Sequence, residues 1–244
     1  MKSVRSSAKI LFWVALFAIA MGYLESAVVI YIREIYYPEG FSFPLKVLDS
    51  HILITEIFRE AATLVMLIGI GVVAGRSSIE RFGLFIYSFG WWDIFYYVFL
   101  KVLIGWPESL YTWDILFMLP TTWVGPVIAP MLNALVMIFF GGLITYYQGK
   151  NKSLRIKAME WIILISGAGV LLITYLQDYS RYMLERYSFS ELFLSIPDQN
   201  MMDYATQYIP KEFNWILFII GQVLISLPVL WYFLRLNKKR RSTK

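Results

Sequence analysis

Residues 52–74 read ILITEIFREAATLVMLIGIGVVA, an apolar run broken only by Thr55, Thr63 and the charged residues Glu56, Arg59 and Glu60 near its start. At about 1.5 Å per residue such a run covers the roughly 30 Å hydrocarbon core of a bilayer. Five further runs share this character: Ile10 to Ile32, Phe82 to Ile104, Val127 to Tyr147, Met159 to Leu176 and Trp215 to Leu234. Continuous runs exclude a closed barrel, which alternates over about ten residues per strand.

Composition agrees, with 59% hydrophobic residues, 16% charged and a mean hydropathy of +0.60. The fold class expected is all-α, a polytopic membrane bundle of about six transmembrane helices forming one integral membrane domain over residues 1–244. A basic start followed by Ala18-Ile19-Ala20 also resembles a cleavable signal peptide. Apolar residues continue through Ile32, so an uncleaved first span is the simpler expectation.

Sidedness follows from the basic residues. Lys2, Arg5 and Lys9, then Arg76 and Arg81, then Lys150 to Lys157, then Arg235 to Lys244 all fall on one side if the helices alternate. The positive-inside rule makes that side, with both termini, cytoplasmic, and the expected location is the cell (inner) membrane as a multi-pass protein. The tail Lys238 to Arg241 then reads as an anchor at an anionic leaflet, and no nucleic-acid partner is expected. Membrane lipids are the partners expected; the sequence does not specify oligomeric state.

The connections on the outer side carry the complexity. Residues 107–125 hold Pro107, Ser109, Trp113, Asp114, Pro120 and Trp123. Ser109 can cap a short helix ended by Pro120, so Leu110 to Leu119, too short to span, is expected to form either an interfacial helix or a re-entrant segment dipping back toward the site. Residues 178–212 mix Tyr179, Tyr182, Met183, Tyr187, Leu192 and Phe193 with charges, the pattern of an amphipathic helix capping the bundle.

Charge inside the spans locates a candidate site. Glu25, Arg33, Glu56, Arg59, Glu60, Asp93 and Lys101 all lie in or at the ends of the first three runs, toward the outer side. Each costs roughly 2.5 to 3.5 kcal/mol in hydrocarbon on insertion scales, so such residues mark a site or a structural ion pair. At about 100° per residue Glu56, Arg59, Glu60 and Thr63 share one face, and so do Asp93, Tyr96, Tyr97 and Lys101, with Gly90 beside them to permit close backbone approach. Gly22, Glu25, Val29 and Arg33 form a third face. If the three meet, Arg59 is flanked by Glu25, Glu56, Glu60 and Asp93, an excess of carboxylate that a proton or a bound cation would neutralise.

The ligand-binding set expected is therefore Glu25, Glu56, Arg59, Glu60, Asp93, Tyr97 and Lys101, joined from the third outer connection by Trp113 and Asp114. A cation or small cationic molecule is the ligand expected. No metal or cofactor is assigned, since the chain lacks cysteine, has His51 as its one histidine, and carries no P-loop or dinucleotide fingerprint. It also carries no G-x-S-x-G serine motif and none of the motifs of intramembrane proteases, ceramidase-like hydrolases, prenyltransferases or quinone-linked cytochromes. Three functions remain open: a cation-binding or transport protein, an enzyme acting on a lipid or lipid-linked substrate at the outer leaflet, and a structural or assembly subunit.

Overall fold

The computed structural model describes residues 7–150, 155–195 and 197–242, with side chains described up to residue 148 and again from 155 to 235. The long helices are α1 (Ser7–Tyr36), α2 (Ser50–Ala74), α3 (Ser78–Ile104), α4 (Ile128–Lys150), α5 (Ala158–Met183) and α8 (Trp215–Ser242). Between them lie a hairpin of β1 (Trp113–Phe117) and β2 (Trp123–Pro126), and the short helices α6 (Phe189–Leu194) and α7 (Gln199–Ala205). Each apolar run thus becomes one helix; α4 begins one residue after Val127, and the other helices contain their runs, α5 and α8 continuing past them to Met183 and Ser242. Lys2, Arg5 and Lys152 lie outside the described residues, as do the side chains of the basic tail expected to anchor at a leaflet.

Among the described residues five helices are long and apolar enough to cross a membrane: α1, α2, α4, α5 and α8. In their most apolar windows only 22% to 33% of residues are buried, which leaves faces such as Phe12, Val65, Val73, Ile165 and Ile216 turned outward. In water such exposure would be a large liability; in lipid it is the solvated surface. The remaining long helix, α3, has the length but aromatic residues in place of aliphatic ones. It is the hub, packing on α1, α2 and α4, while α5 pairs with α8.

Local chemistry fixes the ends of α3. The Ser77 side chain accepts from the Glu80 backbone N–H at 3.2 Å, and Glu80 reaches back to the Arg76 N–H at 2.9 Å. The Glu80 N–H, one of the helix's orphan donors, is thereby capped, and the chain entering α3 is held by its side chain. At the other end Gly105 takes a left-handed φ of 72° that a side chain would oppose, and its N–H donates to the Lys101 carbonyl. Close packing around α3 depends on glycine, as expected for Gly90. A Cβ there would come within 2.6 Å of the Ala134 carbonyl oxygen on α4, and one at Gly22 of α1 within 2.9 Å of the Trp92 carbonyl oxygen.

The chain between α3 and α4 corrects one expectation. Leu110 to Leu119 is not a helix but the first half of an antiparallel hairpin, with Asp114 opposite Gly125 and Ile115 opposite Val124. Thr112, Trp113, Ile115, Phe117, Trp123 and Val124 are β-branched or aromatic, and a paired strand accommodates them better than a short helix does. Ser109 caps no helix; its hydroxyl accepts from the Tyr111 N–H within the turn that starts the hairpin. The hairpin continues into α4 through the Val127 N–H to Thr112 and Ile128 N–H to Leu110 bonds.

Residues 178–212 also differ from a single amphipathic helix: α5 runs on to Met183, and α6 and α7 follow as separate pieces. Each has its own N-cap, Ser188 accepting from Glu191 and Asp198 from Met201. Tyr179, Met183, Leu192, Met201 and Tyr208 bury together against Val124 of β2. The hairpin, the α1–α2 connection and α6–α7 therefore gather at one end of the bundle, called the capped end below.

Candidate functional site

The charged face of α2 meets α1 near the capped end. Arg59 donates through Nε to Glu56 at 2.7 Å and through Nη1 to Glu25 on α1, and Thr63 donates to the other oxygen of Glu25 at 3.3 Å. Helical spacing produces this directly, since Glu56, Arg59, Glu60 and Thr63 lie within one arc of α2. The three-residue set Glu25, Glu56 and Arg59 is a closed ion-pair network joining two helices.

Glu60 behaves differently. It is 5% exposed, and the described residues offer it no cation at ion-pair distance; its Oε2 accepts the Met118 backbone N–H of the hairpin loop at 2.8 Å. This bond ties α2 to the hairpin and leaves the carboxylate's charge without a counter-ion in contact.

A second pair lies beside it. Arg33 at the end of α1 donates through Nη2 to Asp114 Oδ1 at 3.0 Å, and the Tyr97 hydroxyl of α3 donates to Asp114 Oδ2 at 3.2 Å. The guanidinium carbon lies 3.8 Å from the ring centre of Trp106 and 4.3 Å from that of Phe41. Two aromatic faces thus stabilise the buried cation. Arg33 is 8% exposed and Asp114 1%, yet Arg33 Nη1 has no hydrogen-bond acceptor among the described residues. Burial pushes the Asp114 carboxyl up to about 6, against the opposing pull of Arg33.

These groups surround a cavity of about 370 Å³ at the capped end. Its walls are mostly apolar, with Val29 and Ile32 from α1, Leu53 and Ile57 from α2, Met118 and Leu119 from the hairpin, and Met201 and Met202 from α7. Into this surface project Arg33, Lys46, Glu56, Glu60 and Asp114. Lys46 and Val47 line it and are exposed, so the cavity reaches the surface between the α1–α2 connection and α7. Its volume falls in the range of small-molecule sites, about 300 to 1,000 Å³.

Glu25, Glu56, Arg59 and Glu60 are thus close neighbours on α1 and α2, and Tyr97 and Asp114 are bonded to each other. Asp93 is not part of the Arg59 network: it makes no hydrogen bond or ion pair among the described residues, and the charged group it feels is Asp114. It shares a face of α3 with Tyr97, as expected, but that face turns toward Asp114 and Tyr175 of α5. Lys101 donates to the carbonyls of Gly105 and Pro107 at 2.9 and 2.8 Å, closing the end of α3. Trp113 packs on Phe213, and Trp123 stacks on Tyr175. Neither these two tryptophans nor Trp106 lines the cavity.

Arg33 is the residue whose role sequence spacing leaves out. Its place on the Glu25 face was legible, but its partner comes from a hairpin read as a helix. Among the described residues no group of three His, Asp or Glu side chains is arranged to hold a metal ion. Comparison of the chain with protein-family models, with curated proteins and with solved structures gives no match.

Proposed function

We propose that this multi-pass membrane protein binds, and as a carrier would move, a small cation with an apolar body, taken up at the capped end. The observation behind this reading is Glu60: a buried carboxylate with no cation in contact among the described residues, on the wall of an apolar cavity that reaches the surface. An ammonium group there would gain a charge-assisted hydrogen bond while its hydrocarbon contacts Leu53, Ile57 and Met118. With both termini cytoplasmic, as the basic residues imply, the capped end faces outward.

The experiment is a thermal-stability titration of the detergent-purified protein with hexylammonium chloride at pH 7.5, on wild type and Glu60→Gln. The expected result is a stabilisation in wild type that Glu60→Gln weakens by about ten- to hundredfold in apparent affinity, the loss of one charge-assisted bond. An equal response in the two proteins sinks the reading. Uptake into reconstituted vesicles then separates a carrier from a binding protein.

The Arg59 half of the cluster supports a different role. With Glu25 and Glu56 both engaged, Arg59 has the geometry of a clamp between α1 and α2, and it is assigned to the scaffold. An enzyme gated by Trp106, Trp113 and Trp123 draws no support from the cavity, because none of the three lines it.

A further inference from the structure

The cavity is electrically polarised. Its cations, Arg33 and Lys46, come from the end of α1 and the connection behind it, whereas Glu56 and Glu60 come from α2. Asp114 is the one exception, and its two oxygens are already taken by Arg33 and Tyr97. Glu56 is likewise taken, by Arg59. Among the described residues, two lining groups are therefore left short of partners, one of each sign: the Glu60 carboxylate, with no cation in contact, and the Arg33 guanidinium, whose buried Nη1 has no acceptor. A buried guanidinium N–H left unbonded is costly, and an acidic oxygen is the strongest acceptor available to it.

A simple cation satisfies only half of this arrangement. We infer that the ligand is a zwitterionic amphiphile: an ammonium at Glu60, a phosphate or carboxylate group at Arg33 with Lys46 at the rim, and a hydrocarbon portion along the apolar wall. This inference rests on the reading of Glu60 as a cation site and adds the second charge. The same chemistry occurs in an aminoalkyl phospholipid headgroup and in a free aminoalkyl phosphate, and the segregation of charge by wall fixes the order in which either would lie. The acid group sits toward α1 and the amine toward α2.

Three probes separate the possibilities in a stability titration of the full-length protein in a neutral maltoside micelle. Lysophosphatidylethanolamine carries both charges and a chain, dodecylammonium carries the cation and a chain, and phosphoethanolamine carries both charges without a chain. The expected result is that the lysolipid binds about tenfold more tightly than dodecylammonium. Lys46→Gln should reduce that margin without changing dodecylammonium binding, and Arg33→Gln/Asp114→Asn, which removes both members of the buried pair together, should abolish it. Lys46 is exposed and outside every helix, so its variant reports on the ligand even where the buried double variant fails to fold.

Equal binding of lysolipid and dodecylammonium, both lost in Glu60→Gln, would overturn the zwitterion while leaving the cation site standing. Binding of every probe unaffected by Glu60→Gln would overturn both. Phosphoethanolamine binding as tightly as the lysolipid would support the zwitterion and assign it to a soluble molecule; a requirement for the chain would support it and assign it to a lipid.

Discussion

Removing Arg33 alone should be among the most damaging single changes at the capped end. Arg33→Met preserves much of the side-chain volume against Trp106 and Phe41 but leaves Asp114, 1% exposed, with only the Tyr97 hydroxyl and a backbone N–H for company, so that it must carry an unpaired charge or take up a proton. Breaking a buried pair from one side costs about 3–5 kcal/mol. The two lost cation–π contacts add about 0.5–2 kcal/mol each, partly offset by methionine packing on the same rings. Removing both charges, as Arg33→Met/Asp114→Asn, leaves no orphan, and the double variant should lie within about 1 kcal/mol of wild type.

The assay is reversible unfolding in mixed micelles at pH 7.5, repeated at pH 5. Asp114 sits among Arg33 of α1 and Tyr97 and Asp93 of α3, and its folded pKa of about 6 lies above the unfolded carboxylate value. The fold therefore holds the proton more tightly than the unfolded chain does. Its contribution is fully present below about pH 4 and is lost as the pH rises toward 6. In Arg33→Met the cation opposing that rise is gone, so the penalty should be smaller at pH 5 than at pH 7.5. A single variant costing less than about 1 kcal/mol, or a double variant as damaged as the single, would refute the assignment of a buried, charge-compensated pair.

Three further outcomes are expected. Gly90→Leu should force α3 away from α4, where even a Cβ meets the Ala134 carbonyl oxygen at 2.6 Å, lowering stability by about 1–3 kcal/mol or more in thermal unfolding; Gly69→Ala, with open space around it, should be near neutral. Tyr208→Phe removes a 2.6 Å bond to Asp178, which together with burial holds that phenol protonated, and should cost about 1.5–3 kcal/mol, read as faster proteolysis within residues 184–214. Arg235→Ala leaves Glu160, 4% exposed, without the guanidinium 2.8 Å away; the loss should be about 2–3 kcal/mol, reduced by the Lys157 N–H that Glu160 still accepts, and Glu160→Gln should restore part of it in the double variant.

The six long helices were legible because lipid as solvent demands long apolar runs, and nothing else in the chain has that length. The site was half legible for a related reason. Glu56, Arg59, Glu60 and Thr63 share a face by arithmetic within one helix, and so do Asp93 and Tyr97. Which neighbour each face meets depends on helix rotation; Gly22 and Gly90 mark where backbones approach, but spacing alone does not say which helix each one meets. Asp93 therefore lies within electrostatic reach of Asp114 and Tyr175 and, among the described residues, makes no ion pair with Arg59. The hairpin was illegible for a third reason: a ten-residue apolar run with serine before it and proline after it fits a short helix and a strand equally, and the pairing that decides between them lies with Trp123 to Pro126.

The bond from Met118 N–H to Glu60 has a thermodynamic corollary. A ligand ammonium and the hairpin loop draw on the same carboxylate, so occupancy of the cavity and attachment of the hairpin to α2 are linked quantities. If binding loosens that attachment by some factor, then anything that holds the hairpin down, a lipid, a neighbouring subunit or an antibody fragment, weakens ligand affinity by the same factor. The loop from Met118 to Thr122 is thus a place from which the site can be controlled without being touched.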